Sequence, residues 1–177
     1  MFLNKAISYF YHMSKDTPEV YHQRMSTAFH TMIALPLAIF VYLFLEKKHN
    51  DLAPVIKEVT YMYLIDYGFT LLSIGLTYLT YSKFRKGLSA INRDDPLKQR
   101  FEIYSRLTTN AYLFIGVAFA LLVLGLFLTT SAIFIVNYVI LLFLLSLQRP
   151  TPDKYIKDLQ LQGVEKKIVK DKQEFAD

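Results

Sequence analysis

Asp66 is the residue in this chain that most readily suggests chemistry, because its surroundings are so apolar. Between Thr60 and Tyr81 the sequence reads TYMYLIDYGFTLLSIGLTYLTY, and Asp66 is the formally charged residue within it. At 100° per residue, Asp66, Thr70, Ser73 and Thr77 fall on one narrow line, begun by Tyr63 and continued by Thr80 and Tyr81. A carboxylate at membrane depth costs about 2.5–3.5 kcal/mol on insertion scales unless it is paired, protonated or wet. Two chemistries could meet that cost. Asn137 stands as far into the last apolar stretch as Asp66 stands into its own, so the two should lie at matching depth and hydrogen-bond, with Thr70 below. Alternatively, several copies could turn this face to a shared axis. Asp66 would then form an acidic ring above rungs of Thr70, Ser73 and Thr77, the lining of a cation-favouring pore.

The remaining candidates are weaker. His30 shares a face with Gln23 and Ser26 near the inner end of its stretch, and Asn110 lies near the inner end of another. A proton-passing site there competes with an ordinary histidine satisfied by Asn110 or a backbone carbonyl, and the ordinary reading prevails. Arg24 and His30 have the spacing used by some RNA-cleaving helical domains. With six arginines and four histidines in the chain, one such match arises by chance, and RNA does not reach a membrane border. His12, His22, His30 and His49 are scattered without a metal-binding motif, and there is no cysteine. No phosphate-cradling glycine loop or nucleophile elbow occurs. Asp94-Asp95 precedes Pro96 and reads as a cap. No enzyme, metal site or cofactor is expected.

Four apolar stretches must position these residues: about 27–45, 60–81, 107–128 and 131–147. Each is of membrane-crossing character, a crossing needing about 20 residues. The last two are parted only by Thr129 and Thr130, so they form a tight hairpin, since one 40-residue helix would overshoot a bilayer of roughly 30 Å. The fold class expected is all-α: an integral membrane four-helix bundle with cytoplasmic helical extensions. Residues 1–17, with apolar positions at helical spacing from Phe2 to Met13, read as an amphipathic interfacial helix. The four-helix domain covers 18–148, with a cytoplasmic helical hairpin at about 82–106, and 149–177 form a charged cytoplasmic helical tail. Thr17-Pro18, Asp95-Pro96 and Thr151-Pro152 are helix starts. Pro36 should bend the first helix, and Gly163 should break the tail.

Two packing expectations follow. Gly68 and Gly75 lie on the face opposite Asp66, and Ala111, Ala118 and Gly125 form a heptad line on the third stretch, so these small residues should meet. Tyr61, Tyr63, Tyr78, Tyr81, Tyr104 and Tyr112 should form aromatic belts at the membrane borders.

Seventeen of the 20 lysines and arginines lie before the first stretch, between the second and third, or after the fourth. The three exceptions are Lys47, Lys48 and Lys57. This asymmetry puts both termini on the cytoplasmic side, here of a bacterial inner membrane. The net charge of +5 needs no nucleic acid to explain it. The expected partners are the lipid bilayer, further copies of the chain, and a cytoplasmic protein engaged through 82–106 and 149–177. The function expected is that of a small non-enzymatic membrane module that self-associates, in its most concrete form a pore-forming or membrane-perturbing effector. A structural anchor with a dry seam and a small-molecule or ion transporter component are the alternatives.

Overall fold

The computed structural model describes residues 17–49 and 53–175, so the expected 1–17 interfacial helix falls outside the described residues apart from Thr17. Among the described residues six helices follow one another: α1 (Pro18–His49), α2 (Val59–Ser89), α3 (Leu97–Thr129), α4 (Ala132–Ser146), α5 (Pro152–Asp158) and α6 (Gly163–Lys170). Among the described residues there is no strand.

Helix starts follow local chemistry. Proline lacks an N–H and has φ preset for a first turn, so it opens helices without loss. Pro18 opens α1, Pro96 immediately precedes α3, and Pro152 opens α5. The Thr151 hydroxyl accepts the Lys154 N–H at 3.3 Å, a side-chain cap. Thr130 closes the α3–α4 hairpin in the left-handed region at φ 52°. Gly163 carries φ +52° where α6 begins. Helix α1 continues through Pro36.

Helix α3 is the centre. Helices α1, α2 and α4 each make their main contact with it, so three helices gather on one instead of four sharing an axis equally. Its apolar stripe, including Ala118, Phe119, Leu122 and Leu126, is buried. At Gly125 the ring of Phe134 comes so close that a methyl group would overlap it, and at Gly116 a Cβ would stand 3.1 Å from Met32 Sδ. Helix α1 meets α4 through the stacked rings of Phe40 and Tyr138, 3.9 Å apart.

Two separate cores result. The trunk core joins Phe29, Phe40, Phe119, Leu126, Phe134 and Tyr138. The cap core joins the first turns of α1 and α3 to α5, α6 and Phe175, around Met25, Phe101, Tyr104 and Tyr155. Outside the trunk core the apolar pattern continues outward: Leu35, Leu64, Leu71, Val136 and Phe143 are all more than half exposed. Helices α1, α2 and α3 are each long and apolar enough to cross a membrane. Helix α4, with 15 residues, spans about 22 Å at 1.5 Å per residue.

Candidate functional site

The polar line on α2 faces its own chain. Because α2 packs against α3 and touches α4, Asp66, Thr70 and Ser73 meet partners there, while Thr77 bonds within its own helix. Thr129 Oγ1, at the end of α3, donates to Asp66 Oδ1 at 2.7 Å and also lies 3.2 Å from the Gly125 carbonyl. The same oxygen accepts the Ser131 N–H at 3.3 Å, tying the hairpin turn to the acid. One turn deeper, Asn137 Nδ2 donates to Thr70 Oγ1 at 3.4 Å and to the Ile133 carbonyl at 2.9 Å. Ser73 Oγ reaches the Ala118 carbonyl at 3.5 Å, and Thr77 Oγ1 donates to the Ser73 carbonyl at 2.9 Å. Ser73 and Thr80 are buried.

The expected Asp66–Asn137 bond is therefore replaced by two bonds. The hairpin turn brings Thr129 level with the first turns of α2, where it takes the acid, and Asn137 meets Thr70 instead. Thr129 reads in sequence only as a link between two apolar stretches. Its signal is positional: a hydroxyl at the end of one helix opposite an acid near the start of another.

The small-residue pairing is corrected as well. Gly68 and Gly75 have nothing within 4 Å of where a Cβ would be. They and the seam occupy opposite faces of one helix, and only one face can meet α3. A carboxylate and several hydroxyls gain partners by turning inward, whereas glycine loses little by staying outside. Ala118 accordingly lies under Ser73, Gly125 takes the ring of Phe134, and Ala111 lines a cavity.

At the opposite end, His30 and Asn110 are both exposed. His30 Nδ1 donates to the Ser26 carbonyl at 2.6 Å, the ordinary satisfaction of a helical histidine. Tyr104 and Tyr112 depart from the expected belt. Both are buried: Tyr104 donates to Asp158 Oδ2 and Tyr112 to the Gln148 carbonyl, each at 2.8 Å. Tyr61, Tyr63, Tyr78 and Tyr81 are exposed.

A cavity of about 410 Å³ adjoins the seam between α2, α3 and α4. Ser73, Thr77, Thr80, Thr108 and Asn137 contribute to a lining that is otherwise largely apolar, and Gln148 and Lys154 lie at its cap end. Lys154 donates through Nζ to Gln148 Oε1, and burial pulls its amine below the usual lysine range.

In the cap, Tyr155 stacks edge-on against Phe101 and Tyr104, and its hydroxyl lies 2.6 Å from His22 Nδ1. Burial pushes the Tyr155 phenol well above its usual value. Arg100, 4% exposed, pairs through a guanidinium nitrogen with Glu165. The tail thus spends its apolar face on its own chain.

No family model, curated protein or solved structure matches the chain.

Proposed function

We propose that this chain is a small, non-enzymatic integral membrane protein whose polar seam is a dry clamp, so that it serves as a structural anchor or assembly subunit. The observation that carries this reading is the inward closure of the seam. Asp66, Thr70, Ser73 and Thr77 all find hydrogen-bond partners within one chain, which supports a clamp over a ring of acids around an axis shared by several copies. A membrane location is supported by three helices of crossing length and by the apolar side chains exposed around the trunk. Lysine and arginine sorting then favours both termini in the cytoplasm. The unoccupied Gly68/Gly75 face of α2 offers a surface where a further copy or another membrane helix could approach closely. A cytoplasmic partner would meet the charged exterior of the cap, because the apolar faces of α5 and α6 are already covered.

The test is ion flux set beside stability. Asp66→Leu removes the Thr129–Asp66 bond, leaving the Thr129 hydroxyl only the Gly125 carbonyl to donate to, and should cost about 1–3 kcal/mol, read as a lower melting temperature in detergent. Proteoliposomes holding the wild-type chain should pass monovalent cations no faster than empty ones. Cation flux whose selectivity changes in Asp66→Asn would overturn the clamp in favour of a pore.

A further inference from the structure

The cavity beside the seam is left unused by the clamp. Its floor is α3, at Thr108, Ala111 and Ile115. Its rims are Ile74 and Tyr78 on α2, Leu144 on α4 and Leu147 just after it, all of them exposed. The opening therefore faces sideways, onto the same apolar girdle that surrounds the trunk. From Asn137 to Leu147, α4 and its C-terminal cap line the space over about 15 Å at 1.5 Å per residue. That is half of a hydrocarbon core of roughly 30 Å, the depth of one leaflet. The volume lies within the range of about 300–1,000 Å³ typical of ligand sites.

Chemistry changes at the cap end. Lys154 is half-buried at the edge of the space, donates to Gln148, and forms no ion pair among the described residues. An ammonium carries three donors, so the bond to Gln148 leaves it capacity for an anion. An apolar slot one leaflet deep, closed at headgroup level by a lysine, matches a lipid lying upright beside the helices.

We propose that this groove holds an acyl chain of an anionic phospholipid, with the lipid phosphate on Lys154. The inference rests on the membrane reading of the trunk. Thr77 already donates to the Ser73 carbonyl, so its own hydroxyl is paired, and the unpaired hydroxyl of the lining is that of Thr108 on the floor.

The experiment uses the full chain released from membranes in mild detergent, with retained lipid counted by native mass spectrometry. Added phosphatidylglycerol should be retained over phosphatidylcholine by about fivefold, the contribution of one lysine near an anionic surface. Lys154→Gln should abolish that preference. Leu144→Trp, a change on the exposed rim that leaves the core intact, should reduce retention of both lipids, as should Ala111→Leu on the floor. Equal retention of both lipids by the wild type overturns the proposal. So does a loss of oligomeric mass when the rim is filled, which would assign the groove to a second copy. Displacement of the lipid by inorganic phosphate overturns it in favour of a site for the free anion. Alkaline carbonate extraction separates membrane insertion from lipid binding. A chain washed off the membrane sinks the membrane reading and the lipid together, whereas a chain that stays but shows no lipid preference sinks the lipid alone.

Discussion

Trunk and cap are built from continuous stretches of the same helices, yet they turn opposite kinds of surface outward. In the trunk, Leu35, Leu64, Leu71 and Phe143 are exposed, while Asp66, Thr70 and Ser73 turn inward to partners. In the cap, Phe101, Tyr155, Ile168 and Phe175 are buried, and Lys157, Lys166, Lys167 and Lys170 are exposed. The difference is one of solvent. A helix in water gains by hiding apolar area, whereas a helix in lipid gains nothing that way and must satisfy its polar groups internally. One chain obeying both rules, with the change falling partway along α1, α2 and α3, is the pattern expected of a protein that stands in a membrane and emerges from it.

The comparison can be broken most directly at Tyr155, which is 1% exposed and touches Phe101, Tyr104 and His22. Tyr155→Ala should cost about 3–5 kcal/mol and free the tail for proteolysis while the trunk stays helical. Simultaneous melting of both would show a single cooperative unit instead of two cores. Next in size is the Arg100–Glu165 pair. Glu165→Leu strands a buried guanidinium and should lower cap stability by about 2–3 kcal/mol. Adding Arg100→Met should restore most of that loss in a double-mutant cycle; no recovery would mean that the pair is not the cause.

Glycines sharpen the contrast within the trunk. Gly125→Ala forces a methyl group into the Phe134 ring and should cost about 1–3 kcal/mol. Gly68→Ala enters open space inside a helix and should leave the monomer as stable or raise its stability by about 0.5–1 kcal/mol. Equal effects in the two variants would contradict the facing of α2. The smallest effect is expected at Thr130, a β-branched residue at φ 52°. Thr130→Gly relieves a left-handed cost of about 1–2 kcal/mol, offset in part by the greater freedom of glycine when unfolded. A net gain of about 0.5–1 kcal/mol, or none, should appear in a denaturant melt, and a loss would contradict the strain.

Much of this architecture is legible in the sequence. Prolines 18, 96 and 152 mark helix starts to within a residue, because their geometry acts locally. The α3–α4 hairpin follows from length alone. The facing of α2 is less legible, since both of its faces carry helical periodicity: Asp66 to Thr77 on one, Gly68 and Gly75 on the other. Deciding between them requires knowing where Thr129 and Asn137 end up, which depends on tertiary structure. The cap core is hidden for a different reason. Tyr155, Leu159, Leu161, Ile168 and Val169 sit among lysines and acids in two short helices and the link between them, so composition presents a charged tail and conceals a buried face. Tyr104 and Tyr112 look like border tyrosines for the same reason, though the tail and the end of α4 close over them.

Helix α3 runs without interruption from the cap core at Phe101 to the hairpin turn at Thr129. A rod of 33 residues is about 50 Å long and has no joint along its length. Tilting it at the far side, as a thinner bilayer or a neighbouring helix would do, swings the near end sideways and drags the tail along. The molecule would in this sense be a lever, and anything bound at the cap would feel what lipid did to the other end.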